Sequence, residues 1–303
     1  MYERRSETET RIFEDHRDNL TIDIDSDLVR GRAAEMRSEH SESALLWNVF
    51  RTLQRIDPGL WLPRLVRSAL PRAVRDGSVA PALDRAGLAD VQFHWWQRWD
   101  VPPERHTWLH DAALSGCLRL DHYPAHCVPD KKAEIERRLQ NELPFEDPVE
   151  IPLCIETRDC FLGIETVYKS NLRRHTAFDS QRDAILRLLD AGSTAATGRG
   201  KRFVALVLCT DARVLNVETV RLVDRYRDQP HRLVESLPHR PDRAALERLA
   251  EAIGLLRWKD LGTLLLETKE QERLGLFDVA ALDELIKYLA RKDVGFNFFR
   301  RLK

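Results

Sequence analysis

Two glutamates and a lysine lie in a segment that the sequence predicts to be a β-hairpin. The stretches IPLCIET (151–157) and FLGIETVYKS (161–170) are apolar runs joined by a short polar tip, which is typical of two antiparallel strands and their turn. Because side chains alternate across a strand, Glu165 and Lys169 are expected on one face of the second strand. If the first strand begins at Glu150, that carboxylate also lies in the hairpin.

A carboxylate and a lysine on one face of a sheet, beside further acids, are the groups that metal-assisted phosphodiester hydrolysis requires. Carboxylate oxygens bind Mg²⁺, the metal polarises the phosphate, and a lysine orients water or neutralises the developing charge. From spacing alone, the more ordinary interpretation of Glu165 and Lys169 is a solvated pair of opposite charges. Both interpretations stay open at this point.

Composition narrows the class of protein. The 303 residues include 48 Lys+Arg and 49 Asp+Glu, and the net charge of -1 argues against a globally basic nucleic-acid binder while leaving room for local basic patches. No apolar run approaches the roughly 20 residues that cross a bilayer, so no membrane association is expected. A charged start without a signal peptide and five widely spaced cysteines predict reduced thiols and a cytoplasmic protein.

The order of predicted elements is that of an α/β protein with one main domain. Residues 1–40 are rich in charge and are expected to form a partly flexible arm, and residues 41–303 a single domain. That domain begins with a helix capped by Ser41, continues in a sheet core of about 145–212, and ends in a helical tail of about 240–303.

Three tryptophans lie close together before this sheet core. Trp95, Trp96 and Trp99 fall in the stretch VQFHWWQRWDVPP. We interpret them as a strand or a packed aromatic corner in preference to a base-stacking platform.

The hairpin and the segment after it carry a family resemblance. The stretches EIPLCIET (150–157), FLGIETVYKS (161–170) and FDSQRDAILRLLD (178–190) resemble the pattern E-x-D-hydrophobic-hydrophobic-I-E, then I-E-A-K-Y-K-S, then a helix with D-x-x-R-D-Q. This pattern is found in bacterial members of the PD-(D/E)XK, or restriction-endonuclease-like, nuclease superfamily. The front helix SESALLWNVFRTL and the helical tail are also similar to that group.

The resemblance implies a fold, a cofactor and a partner. The expected fold is a mixed central sheet flanked by helices, with helical additions at both ends. The expected partner is DNA, and the role that the resemblance implies is bacterial defence against foreign DNA. If the protein is active, Mg²⁺ or Mn²⁺ would be bound by Glu165 and Glu150. Glu165, Lys169 and Glu42 would then form the catalytic group.

The sequence departs from the family pattern at three positions. Pro152 stands where the family has a metal-binding Asp, Val167 where it has the catalytic Lys, and Ala184 where a Gln is frequent. Two alternatives follow. Either Glu150 and Lys169 replace the lost groups in a relocated active site, or the protein is a pseudo-nuclease that binds DNA without cutting it.

Arginines and lysines in two loops are the candidate nucleic-acid contacts. Arg173 and Arg174 follow the second hairpin strand, and Lys201 and Arg202 end a glycine-containing segment. Scattered solubilising charge explains any one of them equally well. An alternative of a different class is a non-catalytic subunit that uses the same fold to bind a protein partner.

Overall fold

The computed structural model describes residues 12, 16–21, 32–70, 87–168, 170–210, 216–271 and 273–292. The described strands are β1 Gln92–Trp99, β2 Val149–Glu156, β3 Cys160–Thr166, β4 Arg202–Cys209 and β5 Ile253–Arg257. The described helices are α1 Ala33–Met36, α2 Glu42–Gln54, α3 Pro58–Ala69, α4 Pro103–Leu114, α5 Val128–Gln140, α6 Ala184–Thr197, α7 Val217–Asp228, α8 Pro230–Ser236, α9 Arg243–Glu251, α10 Trp258–Lys269 and α11 Leu276–Arg291. None of the described helices is long and apolar enough to span a membrane.

The five strands form one mixed sheet in the order β1-β2-β3-β4-β5. The first three strands are antiparallel neighbours, whereas β3, β4 and β5 are parallel to one another. The predicted hairpin is confirmed, and the predicted helix after it crosses over as α6 to connect β3 with the parallel strand β4. The protein is therefore an α/β protein with a mixed central sheet flanked by helices.

Helices cover both faces of the sheet because its central strands are apolar on both sides. Leu206 and Leu208 of β4 face a core built with α2, α3, α10 and α11. Ala205 and Val207 face a second core, to which α6, α7, α8 and α9 contribute. Every residue of β4 after Arg202 is buried, as the uninterrupted apolar run predicts.

The sheet extends beyond the residues 145–212 expected to form it. Strand β1 adds an edge before that range, and β5 adds the opposite edge within the predicted helical tail. Strand β5 has only five residues, IGLLR, directly between two helices. Such a short apolar run has the same appearance as the end of a helix, so periodicity does not distinguish the two.

Part of the predicted N-terminal arm is packed against the domain. Met36 is fully buried in the core beside α2. The buried Asn19 donates hydrogen bonds to the carbonyl oxygens of Met36 and Ser38 at 2.8 and 2.7 Å. The Lys292 ammonium group donates a hydrogen bond to Oδ1 of Asn19. These contacts tie the described part of the arm to the end of α11. Residues 1–11 and 22–31 lie outside the described residues.

Gly192 lies inside α6, although a glycine there is typical of a helix end. A Cβ atom at this position would stand 2.1 Å from Cζ of Phe203. The same ring would be 3.0 Å from a Cβ at Gly163, so it has little room to move away. The glycine therefore allows α6 to lie close to β4.

We expect Gly192→Ala to lower the free energy of unfolding by about 1–3 kcal/mol because the added methyl group overpacks the core. This expected loss is the net change, because overpacking costs more than the gain of about 1 kcal/mol in helix propensity that alanine has over glycine. Urea unfolding followed by circular dichroism measures the change. The control is Gly198→Ala, where the nearest atom would be 3.5 Å away, and this variant should be neutral or slightly stabilised. A Gly192→Ala protein as stable as the wild type would contradict the close approach.

Candidate functional site

Three glutamates predicted from the sequence come together where β3 ends. Glu165 is the second-last residue of β3, Glu150 lies near the start of β2, and Glu42 is the first residue of α2. The charges of Glu42 and Glu150 both act on the carboxyl group of Glu165. These three residues form the carboxylate cluster. Lys169, the fourth predicted member, lies outside the described residues.

Groups of the protein already hold two members of the carboxylate cluster. The Arg32 guanidinium forms an ion pair with Glu150, and it also lies 5.6 Å from the centre of the Trp96 ring. Glu42 accepts hydrogen bonds from the backbone N–H of Tyr168 at 2.8 Å and from the Ser170 hydroxyl at 2.7 Å. Glu42 therefore ties the loop after β3 to the start of α2.

The third member, Glu165, has an unusual affinity for its proton. Although part of the residue is solvent-accessible, its carboxyl group is closely surrounded by protein, and this burial raises its pKa to about 8. The nearby charges of Glu42 and Glu150 add to the increase, whereas the Thr166 N–H and Arg187 oppose it. Glu165 is therefore largely protonated at neutral pH in the structure as it stands.

The positions that depart from the family pattern lie directly at this cluster. The β2–β3 register ends with Leu153 opposite Ile164, and Pro152 and Glu165 are the residues directly beyond this pair. A carboxylate at 152 would therefore lie near Glu165. Val167 is buried in an apolar cluster.

The third departure from the family pattern is Ala184, and the strand on the other side of β2 is β1. Ala184 begins α6, packs against the apolar core, and donates its N–H to the Arg173 carbonyl oxygen at 2.9 Å. Trp96 of β1 is left out of the register with β2, which passes from Trp95 to Gln97. Its φ of 49° lies in the left-handed region, and its ring stacks on Trp47 at 5.7 Å between ring centres. Trp95 and Trp99 are buried, which confirms the interpretation as a packed aromatic strand.

The carboxylate cluster does not fit a Mg²⁺ ion as it is arranged. Magnesium needs near-octahedral oxygen ligands, and an arginine that already pairs with Glu150 competes for the same oxygens. Pro152 supplies no side-chain donor near Glu165. Within the described ranges, no group of three or more His, Cys, Asp or Glu residues is placed to hold a metal ion.

The four predicted nucleic-acid contacts lie at two separate places. Lys201 directly precedes β4 and Arg202 is its first residue, so both lie at the end of the sheet far from the carboxylate cluster. Lys201 is already paired with Glu156 at 2.6 Å. Arg173 and Arg174 follow β3 at the same end as the cluster. Only the second pair is thus close to the carboxylates.

Arginines of α7 extend the positive charge near Arg174. Arg174, Arg221 and Arg225 line a shallow cleft of about 300 Å³, and these three residues form the basic cleft. Glu218 pairs with both Arg174 and Arg221. The Arg225 guanidinium, like that of Arg173 nearby, has no ion pair or hydrogen bond among the described residues.

Sequence reasoning missed a buried ionic network beneath the cluster. The fully buried Arg182 donates to Glu146 at 3.1 Å and to Asp190 at 2.8 Å. Arg105, equally buried, donates to Glu146 at 3.1 Å and to Asp179 at 2.7 Å. Residues that matched the family pattern therefore act here as structural ion pairs. The one signal in the sequence is Asp190, a lone acid on the apolar side of its helix.

Asp183, the remaining matched acid, also has a structural role. Its carboxylate caps α6 by accepting the N–H of Leu186 at 3.0 Å, and it accepts the Tyr226 hydroxyl from α7. Burial raises the pKa of Asp183 to about 6 in spite of these hydrogen bonds. Asp183 therefore fastens α7, and with it the basic cleft, to the start of α6.

The five cysteines all have free thiols. Cys154, Cys160 and Cys209 are buried in strands, and burial raises the pKa of Cys160 to about 12, so that this thiol stays protonated and unreactive.

Comparison with protein-family models, with curated proteins and with solved structures gives no match. What this chain does must therefore follow from its own residues and their geometry.

Proposed function

We propose that the protein is a restriction-endonuclease-like DNA-binding protein whose carboxylate cluster has a structural role in place of a catalytic one. On this proposal, DNA lies along the basic cleft and Arg173. The observation that carries the non-catalytic part is the ion pair between Arg32 and Glu150, since a guanidinium holds the carboxylate that would have to replace the missing Asp.

The arrangement of the resembling segments supports this class. The three stretches form β2, β3 and the start of α6, which are neighbours in a mixed sheet flanked by helices. Pro152 and Glu165 directly follow the last paired residues of β2 and β3, Leu153 and Ile164, so an Asp in place of Pro152 would lie near the glutamate, as a two-carboxylate metal site requires.

The charge near the cluster supports the choice of DNA as partner. Arg173 and Arg225 are exposed arginines whose guanidinium groups make no ion pair or hydrogen bond within the described ranges, although the charge of Arg225 acts on Asp183. Guanidinium groups bind phosphate oxygens in a bidentate manner. Since no direct ion pair holds either guanidinium group, both can form hydrogen bonds with a phosphate. A cytoplasmic location fits the five free thiols, and the defence role follows from the resemblance alone.

We expect the double variant Arg173→Ala/Arg225→Ala to bind a short DNA duplex at least about tenfold more weakly than the wild type. Its slope of log K against log salt should be shallower by about 2, since two phosphate contacts are lost. Fluorescence anisotropy from about 50 to about 200 mM salt measures both quantities. The matched control is Arg243→Ala/Arg291→Ala, which removes two exposed arginines elsewhere and should change little.

A cleavage assay separates the two alternatives within this proposal. Wild-type protein, Glu165→Ala protein and an EDTA control are incubated with single- and double-stranded DNA in Mg²⁺ or Mn²⁺. DNA binding without cleavage supports the non-catalytic role. Cleavage that disappears in both controls would instead show a relocated active site and make Lys169 the next residue to replace. Binding that does not depend on salt would overturn the DNA-binding proposal itself.

The alternative of a protein-interaction subunit is favoured by one observation. Leu276 and Phe277, adjacent residues at the start of α11, are 89% and 92% exposed. Apolar side chains this exposed are unusual when they occur side by side. Salt-dependent DNA binding that the arginine variant weakens would decide against this alternative.

A further inference from the structure

A column of aromatic rings lies at the surface beside the basic cleft. The ring of His122 is 4.1 Å from that of Tyr123 and 4.3 Å from that of His175, measured between ring centres. Tyr123 and His175, both within the described residues, make no ring contact with each other, so His122 lies between them. These three residues form the ring column.

The His175 end of the ring column is open to solvent. His175 is exposed, whereas His122 and Tyr123 are half-buried. At the other end, the Lys131 ammonium lies over the Tyr123 ring, 5.0 Å from its centre. In the part of the chain that the structure describes, no ring other than that of His122 packs against His175. A further ring can therefore stack on the outer side of His175.

The backbone around this open end is fixed by hydrogen bonds. The Arg173 carbonyl oxygen accepts the first N–H of α6 at 2.9 Å, and the Thr176 N–H donates to the Asp179 carbonyl oxygen at 3.1 Å. Burial, and then the charge of His175, lowers the pKa of His122, so this inner ring is largely neutral at neutral pH. The open ring is therefore held in place before any ligand arrives.

The ring column and the basic cleft belong to one continuous surface. His175 directly follows Arg174, which lines the cleft. Gln181 lines the cleft as well, and together with Tyr123 it lines a shallow depression next to it. A chain molecule that lies in the cleft can therefore reach the ring column without leaving the surface.

The charge of this surface suits a polyanion at the open end. Two arginines directly precede His175 in the loop. Of the acids in the cleft wall, Glu218 is held by ion pairs with two arginines of the cleft, and the buried Asp183 accepts the Tyr226 hydroxyl. The exposed Asp121 is adjacent in sequence to His122, in the middle of the column. Cations and an open ring thus lie side by side.

We infer that the DNA bound at this surface is single-stranded, with a nucleobase stacked on His175 and the neighbouring phosphates bound by Arg173 and the basic cleft. This inference rests on the proposed DNA binding and names the form of DNA that is bound. In a duplex, neighbouring bases cover both faces of each base, whereas an unpaired base can turn toward a protein ring. A positive groove beside an aromatic ring is the usual arrangement for binding a single strand.

Fluorescence anisotropy with a labelled oligothymidylate and with a duplex of the same length tests the inference. We expect His175→Ala to bind the single strand at least about fivefold more weakly than the wild type, because one stacked base is lost. Its affinity for the duplex should be unchanged. His175→Phe keeps a ring at this position and should retain single-strand binding. The matched control is His231→Ala, an exposed histidine outside the column and the cleft, which should change neither affinity.

An abasic oligonucleotide with the same number of phosphates separates stacking from charge. It should bind to the wild type about as weakly as the oligothymidylate binds to His175→Ala. If His175→Ala weakened both forms of DNA equally, or neither, the single-strand inference would fail while DNA binding stood. An abasic strand that binds as tightly as the oligothymidylate would have the same consequence. If neither the single strand nor the duplex bound with a salt-dependent affinity, the proposed function would fail and this inference with it.

Discussion

Arg182→Met is expected to lower the free energy of unfolding by about 3–5 kcal/mol, because it removes the shared partner of two buried carboxylates. Arg182 is fully buried and donates to Glu146, to Asp190 and to the Leu186 carbonyl oxygen. Methionine fills much of the same volume, so the loss comes from charge rather than from a cavity. Urea unfolding followed by circular dichroism measures it.

The remaining partners of the two carboxylates set the size of this loss. Glu146 keeps Arg105, and Asp190 keeps His239 and Arg240, so neither acid is left entirely without a partner. We therefore expect a value near the lower end of the range.

The matched control is Lys287→Met, which breaks the exposed ion pair with Glu284. An exposed ion pair is screened by solvent and contributes little to stability, so this variant should be close to the wild type. If Arg182→Met were no less stable than Lys287→Met, the buried network would contribute nothing to the fold.

Glu165→Gln is expected to raise the free energy of unfolding at pH 8 and above by about 2–4 kcal/mol. In the unfolded chain this carboxyl group has the ordinary pKa of 4.5, whereas in the folded protein burial first, and then the charges of Glu42 and Glu150, raise the pKa to about 8. Below pH 4.5 the group is protonated in both states and contributes nothing. Between the two values the folded state binds the additional proton, so this group lowers stability progressively as the pH rises.

The difference in stability between Glu165→Gln and the wild type therefore reports on this group alone. It should be small near pH 4.5, increase steadily to about pH 8 and then level off. Unfolding of both proteins at several pH values measures it, and other titrating groups cancel in the difference. A difference that does not change with pH would contradict the raised pKa.

Glu156→Gln provides a control of opposite sign. The pKa of Glu156 is lowered, because Lys201, His94 and Arg199 outweigh the effect of burial. Its carboxylate therefore stabilises the fold above the unfolded pKa and loses that contribution as the pH falls through the lower folded pKa. Glu156→Gln should accordingly be less stable than the wild type at neutral pH.

Much of the fold could be predicted from local patterns. Ser41 caps α2 by accepting the N–H of Ala44, as a serine before an apolar helical stripe predicts. The hairpin of β2 and β3 and the buried strand β4 follow from apolar runs bounded by polar residues. The edge strand β5 could not be predicted, because five apolar residues between helices carry no period of their own.

The candidate site was predictable only in part. Alternation along a strand placed Glu165 and Glu150 in one hairpin, and the structure brings Glu42 to them. The arginine that holds Glu150 is 118 positions away in the sequence, and no local pattern links the two. The same is true of Asp190 and His239, which are 49 positions apart.

The sequence by itself determined most of the strands and helices, with β5 as an exception, because alternation, capping and apolar periodicity act between neighbouring residues. Only the tertiary structure decided which charges meet. It paired Arg32 with Glu150, buried Val167 in the apolar core, and placed His239 in the wall of a cavity. An ion pair or a buried ring nitrogen depends on distances of a few ångströms between distant parts of the chain, and those distances exist only once the sheet and its helices have packed.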